Sequence, residues 1–134
     1  MCGTTNDTFD SWLKELDLEF WGTAQHKVTP AQFFEKLASG EDVVLLDVRS
    51  PQEREFVDFP FALHIPINEL PDRLHEVPMD RLVAVFCSSK VRAAIGYAYL
   101  QLKGFQHARV LAATYADLMP ELLPGKVRKL AQQR

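Results

Sequence analysis

An α/β fold built on a parallel sheet covered on both faces is predicted by three features of this 134-residue chain. Val43–Asp47 and Leu82–Phe86 are continuous apolar runs, the pattern of strands buried on both sides. Segments with helical spacing lie between the strand segments, so strands and helices alternate along the chain. Two of those helices begin with a capping box, Thr29-Pro30-Ala31-Gln32 and Ser50-Pro51-Gln52-Glu53, each with proline at the first helical position.

Taken in order, residues 1–7 are small and polar and are expected to be disordered, with Cys2 an untethered thiol without a role. Phe9, Trp12, Leu13, Leu16 and Phe20 fall at helical spacing among acidic and basic residues, which predicts an amphipathic helix over 8–22. It either packs on its own domain or forms a homodimer contact, and its acidic polar face argues against a membrane surface. A main domain over 23–123 follows. It opens with a strand at His26–Val28, a helix from Thr29 to near Gly40, the strand Val43–Asp47 and a short helix from Ser50. Next come a strand at Leu63–Ile65, short helices between Ile67 and Val77, and the strand Leu82–Phe86. Val91, Ala94, Ile95, Ala98 and Leu102 share one helical spacing, which predicts the buried face of a helix ending before Gly104. A strand at Arg109–Leu111 and a helix over Tyr115–Leu123 complete the domain. Pro124-Gly125 sets off a basic tail or helix over 124–134.

A chain of this length reads as one domain with a real core. With 47% apolar and 25% charged residues and a net charge of −3, it has the composition of an ordinary globular protein and no general attraction to nucleic acid. Its two cysteines are 85 positions apart, which is neither a disulfide framework nor a zinc pattern. His26, His64, His75 and His107 are scattered without ligand spacing, so neither a metal nor another cofactor is expected. No stretch of 18 apolar residues and no signal-peptide pattern is present, and the chain reads as cytoplasmic.

The chemistry points to Cys87. It ends an apolar strand and stands just before a helix, where α/β proteins place their sites. The first amides of that helix lack intrahelical partners, so a short loop folded around Cys87 is expected to aim several of them at its sulfur and stabilise an anion there. Free cysteine is also a common small core residue. Its place at the strand end, before Ser88, Ser89, Lys90, Val91 and Arg92, favours the reactive reading. The two serines read as helix caps. Lys90 and Arg92 add positive charge, and the Arg92 fork suits a sulfonate or thiosulfonate oxyanion.

Three segments together resemble the rhodanese-like domain family: Val44-Leu45-Leu46-Asp47-Val48-Arg49-Ser50-Pro51-Gln52-Glu53, then His64-Ile65-Pro66, then Phe86-Cys87 with the loop ending in Arg92. The likeness spans roughly residues 27 to 122. It implies a five-stranded parallel sheet with helices on both faces, a cysteine whose six-residue loop cradles a persulfide, and sulfurtransferase chemistry without a cofactor. The family loop is commonly Cys-Arg-x-Gly-x-Arg, whereas this chain has Ser88 and Lys90 where arginine and glycine would stand. Phe59-Pro60-Phe61-Ala62 and Ala112-Ala113 likewise replace glycine-containing stretches, which narrows the site. A cysteine phosphatase loop, Cys-x5-Arg, is one residue longer than the segment between Cys87 and Arg92, so phosphate-ester chemistry is disfavoured.

On this reading Cys87 is the nucleophile, residues 88–92 bind the donor, and a small-molecule sulfur donor gives up its sulfur to a thiol or cyanide acceptor. The alternative is a degenerate rhodanese-like module that binds an anion or protein partner without turnover. Asp47 and Arg49 read as a structural ion pair or hydrogen-bond anchor near the site in preference to groups that assist catalysis. Glu53 and Glu55 read as surface charges.

Overall fold

The computed structural model describes residues 3–132, with the backbone alone for residues 3–7. Five strands form one parallel sheet: β1 (Lys27–Val28), β2 (Val44–Asp47), β3 (Leu63–His64), β4 (Val83–Phe86) and β5 (Ala108–Leu111), in the order β1-β5-β4-β2-β3. From β2 the chain leaves toward β3 and from β4 it leaves toward β5, so the order reverses between these two central strands. The crevice at their carboxyl ends is therefore the topological switch point of the sheet. There Asp47 lies opposite Phe86, and the Val48 amide donates to the Phe86 carbonyl at 3.0 Å.

Among the described residues seven α-helices surround the sheet: α1 (Gly3–Lys14), α2 (Leu18–Gly22), α3 (Pro30–Ala38), α4 (Pro51–Arg54), α5 (Val91–Leu102), α6 (Tyr115–Leu118) and α7 (Pro124–Ala131). Both capping boxes form. The Thr29 and Ser50 hydroxyls accept from the amides of Gln32 and Glu53, whose side chains accept from the cap amides in return. The segment between β3 and β4 winds as two 3-10 helices, Ile67–Glu69 and Pro71–Glu76.

Alternation along the strands divides the core into two layers. Leu46, Val48, Val83, Val85 and Cys87 face α5, with Ala93, Tyr97 and Leu100, and Trp12 of α1 packs against this layer. Leu45, Ala84, Phe86 and Leu111 face the other side, with Phe33 and Phe34 of α3, Leu118 of α6 and Phe59. Helices thus cover both faces.

Three expectations are corrected. The N-terminal helix expected over 8–22 is two helices, and the first extends back to Gly3, into the segment expected to be disordered. The break falls at Asp17, whose carboxylate accepts from the Phe20 amide at 2.9 Å and caps α2. Met1 and Cys2 lie outside the described residues. α1 packs on its own domain through Trp12, whose ring centroid is 6.0 Å from that of Tyr97.

The second correction concerns α5. Its buried face is Ala93, Gly96, Tyr97 and Leu100, whereas Val91 and Ile95 of the expected face are 64% and 57% exposed. Ala93 and Gly96 let the helix approach the sheet closely, with Tyr97 and Leu100 buried beside them and Val91 and Ile95 left outside. A Cβ built on Gly96 would lie 3.2 Å from Val85 Cγ1 and 3.9 Å from Val48 Cγ1. Gly96→Val is expected to lower stability by about 1–3 kcal/mol, read as a lower urea midpoint, because the added methyls meet a strand buried on both sides. Gly96→Ala should fall between the two. An unchanged Gly96→Val midpoint would contradict this packing.

The third correction is the cap of α5, which is Lys90 and neither serine. Lys90 has φ 74° and ψ −21°, a left-handed conformation that turns the chain sharply into the helix. For a residue with a Cβ that conformation costs about 1 kcal/mol.

Candidate active site

Cys87 follows β4 at the switch point, and the loop 88–90 carries the chain from the strand into α5. Because Cys87 continues the alternation of Val83 and Val85, its side chain points to the α5 face and is 0% exposed. The Ala93 amide, in the first turn of α5, donates to Cys87 Sγ at 3.3 Å. Several amides were expected around the sulfur. Among the described residues this one meets hydrogen-bond geometry, and the cysteine is more deeply covered than its sequence position suggests. The exposed surface of the loop is made by Ser89, Lys90 and Val91, with Ser88 and Arg92 partly buried.

Arg92 does not hold an open fork toward solvent. Its Nη1 and Nη2 donate to the two carboxylate oxygens of Glu53 at 2.6 and 2.9 Å, and Nη2 also donates to Ser88 Oγ at 3.3 Å. Glu53, read from the sequence as a surface charge, is thus a strut between α4 and the Cys87 loop. The same carboxylate accepts from the amide and hydroxyl of Ser50. Hydrogen bonding from Arg92 is the largest influence on the Glu53 carboxyl. Burial opposes it, the Ser50 bonds add to it, and the carboxyl is held down to about 2. The capping box already placed Glu53 at the carboxyl edge of the sheet. A partner 39 residues away was not visible in it.

This pairing has a consequence for acid stability. A carboxyl held at about 2 in the folded chain, against about 4.5 unfolded, stabilises the fold above roughly pH 4.5 and loses that contribution as pH falls toward 2. Both side chains are partly solvated, so the contribution is discounted to about 1–2 kcal/mol. Glu53→Gln should therefore be less stable than wild type at pH 7 by that amount, with the gap closing toward pH 2 in urea titrations. A gap that stays constant with pH would contradict the pairing.

Asp47 and Arg49 lie on the opposite face from Cys87 and are both 0% exposed. Arg49 Nε and Nη2 donate to Asp47 Oδ1 and Oδ2 at 2.9 and 2.7 Å, and Nη1 donates to the Val57 carbonyl and the Tyr115 hydroxyl at 2.8 and 2.9 Å. The guanidinium carbon lies 5.0, 5.7 and 5.4 Å from the ring centroids of Phe59, Phe86 and Tyr115. Burial pulls the Arg49 guanidinium down, but the hydrogen bonds and charges of Asp47 and Tyr115 more than offset it, and the net shift is upward. Phe59, in the stretch that departs from the family pattern, thus fills space against this cation. Ala113, in the other departing stretch, is fully buried.

A second layer supports this edge. His64 Nδ1 accepts from Arg54 Nη1 at 3.0 Å, which assigns the ring proton to Nε2, and Nε2 donates to the Arg49 carbonyl at 2.7 Å. Arg54 Nε donates in turn to Asp58 at 2.9 Å. Among the described residues no group of three His, Cys, Asp or Glu side chains could hold a metal ion, and no helix is long and apolar enough to cross a membrane.

Residues 29–118 match the rhodanese-like domain family. Over 71 residues the chain is 39% identical to a sulfurtransferase of Allochromatium vinosum, an alignment covering 53% of this chain and 66% of that one. It is 27% identical over 84 residues to the putative sulfurtransferase YtwF of Bacillus subtilis, covering 63% of this chain and 82% of the relative. The chain thus spans just under two thirds of the length of the first of these relatives. Among solved structures, a rhodanese-like domain protein from Staphylococcus aureus superposes with a TM-score of 0.64 at 25% identity, covering 69% of this chain and 90% of that one.

Proposed function

Because this chain belongs to the rhodanese-like domain family, we propose that it is a sulfurtransferase in which Cys87 carries sulfane sulfur as a persulfide. The donor is thiosulfate or a persulfide, and the acceptor is a thiol or cyanide. The observation that carries this reading is the hydrogen bond from the Ala93 amide, at the N-terminal turn of α5, to Cys87 Sγ at 3.3 Å. An unpaired helix amide offers the sulfur a fixed partial positive charge, which favours its anionic form as nucleophile and, after transfer, as persulfide. No histidine base is needed once the thiolate exists.

In the forward half-reaction the Cys87 thiolate attacks the outer sulfur of the donor and a new S–S bond forms. The donor's own bond to that sulfur breaks, and the leaving group departs with its electron pair. In the return half-reaction the acceptor attacks the outer sulfur of the persulfide and frees the Cys87 thiolate. The Glu53–Arg92–Ser88 strut holds the loop in shape through both halves, since its bonds span the loop from Ser88 to Arg92 and tie it to α4.

A second reading, binding without turnover, is favoured by one observation: Cys87 is 0% exposed. Incubation of the full chain with thiosulfate and cyanide separates the two. Thiocyanate should appear over many turnovers with wild type. Its absence from a folded chain, with thiosulfate and with an alkyl persulfide as donor, would leave the binding module standing.

A further inference from the structure

We propose that the chain pairs with a second copy of itself, α5 on α5 and α1 on α1, about one two-fold axis beside the Trp12–Tyr97 contact.

The outer face of α5 is apolar where solvent would favour a polar one. Val91, Ala94, Ile95, Ala98 and Leu102 share the spacing that predicts a buried face, yet this face is turned from the sheet, with Val91, Ala94 and Ile95 exposed. Of the 12 residues of α5 one is charged, Arg92, and Glu53 holds both of its Nη groups. A helix that is apolar on its outer face as well as its inner one has the pattern of a helix covered on both sides. α1 lies beside it. There Phe9 and Leu13 are 43% and 48% exposed, while Trp12 turns to Tyr97.

A second copy fits as the cover because both helices complement themselves. Val91, Ile95, Ala98 and Leu102 are spaced four, three and four apart, the seam of a helix that packs along another helix. Antiparallel pairing about a point between Ile95 and Ala98 sets Ile95 against Ala98 of the second copy and Val91 against its Leu102. At the centre of the seam a bulky residue thus meets a small one. On α1, Asp10 and Lys14 follow directly on Phe9 and Leu13, and neither makes an ion pair among the described residues. Antiparallel pairing about Trp12 sets Asp10 against Lys14 of the second copy, and Lys14 against its Asp10. These two centres meet in the structure, since the Trp12 ring centroid is 6.0 Å from that of Tyr97, which lies between Ile95 and Ala98 in the chain. One axis crossing both helices at this contact produces both pairings, and each residue then meets its counterpart twice, as in an isologous contact.

The area is of the right order. Phe9, Leu13, Val91 and Ile95 together leave about 400 Å² of apolar surface to solvent, as large as the biggest patch on a typical monomer. That is roughly half of the ~800 Å² per copy buried in a standard pair contact, and Asp10 and Lys14 supply charges for its rim. The pairing is independent of the sulfur chemistry. Because α5 meets its copy antiparallel, the two Cys87 loops stand at opposite ends of the paired helices.

Sedimentation velocity of the full chain from about 1 to 200 μM should show monomer giving way to dimer and to nothing larger. Ile95→Glu puts a charge into the face of each copy and should raise the dissociation constant about tenfold or more, and Leu13→Glu on the other helix should do the same. Both side chains are exposed in the single chain, so these variants keep the fold, which circular dichroism and the urea midpoint check. Asp10→Lys and Lys14→Asp should each weaken the dimer about three- to tenfold, and the double variant Asp10→Lys/Lys14→Asp should restore it. A wild-type chain that stays monomeric to about 200 μM overturns the inference and leaves this face to a different protein. A dimer that Ile95→Glu and Leu13→Glu leave intact overturns it as well, as does a ladder of larger species. A double charge variant as weak as the single ones overturns the two-fold arrangement.

Discussion

Asp47→Ala should bring the chain close to unfolding at neutral pH. The carboxylate is fully buried and accepts three hydrogen bonds from one residue: the Arg49 amide at 3.1 Å, Nε at 2.9 Å and Nη2 at 2.7 Å. Removing it leaves a guanidinium with no anion in a layer otherwise built from Phe59, Phe86, Tyr115 and Leu45. Three aromatic faces attract a cation, but by about 0.5–2 kcal/mol each at most, and they do not replace a bidentate carboxylate. Breaking a buried pair costs about 3–5 kcal/mol, against a total of about 5–15 kcal/mol for a typical domain. The double variant Asp47→Leu/Arg49→Met removes both charges and should recover much of the loss. Urea titrations of the single and double variants check this. A single variant within about 1 kcal/mol of wild type would mean that the pair does not hold this edge.

Cys87→Ser should abolish sulfur transfer while leaving the fold in place. A hydroxyl is a far weaker nucleophile at neutral pH than a thiolate and cannot carry sulfur as a persulfide. The serine oxygen can still accept from the Ala93 amide, so the first turn of α5 keeps its partner. The cost to stability should stay within about 1–2 kcal/mol, as expected for a polar group swapped inside a covered site. Cys87→Ala gives a second inactive variant that does not depend on how the hydroxyl is satisfied. Thiocyanate production by Cys87→Ser at more than a trace would move the chemistry to another residue.

How legible the site was depends on how local its causes are. β2 and β4 declared themselves through apolar runs with no alternation, because these two central strands are buried on both faces. The caps at Thr29 and Ser50 were readable because hydroxyl, proline and acid or amide lie within four residues. Asp47 and Arg49 could be placed together on paper, since residues two apart in an extended segment share a face.

The features that escaped depend on distant partners or on size. Glu53 meets Arg92 across 39 positions. The rings of Phe59, ahead of β3, and Tyr115, at the start of α6, reach Arg49 from separate segments. On α5, apolar spacing selected the bulky Val91 and Ile95, whereas the approach of helix to sheet needed Ala93 and Gly96. Asp17 sits inside an unbroken amphipathic pattern, yet α1 ends at Lys14 and the Asp17 cap to Phe20 starts a second helix. Lys90 occupies a left-handed corner that its side chain alone would not announce.

Mass spectrometry of the intact chain after exposure to thiosulfate is the most direct test that Cys87 carries sulfur. Wild type should gain one sulfur atom, lose it on addition of cyanide with release of thiocyanate, and gain it again on re-exposure. Cys87→Ser should show no gain. A folded wild-type chain whose mass never changes, with thiosulfate or with an alkyl persulfide, would contradict the sulfur-carrying role of Cys87.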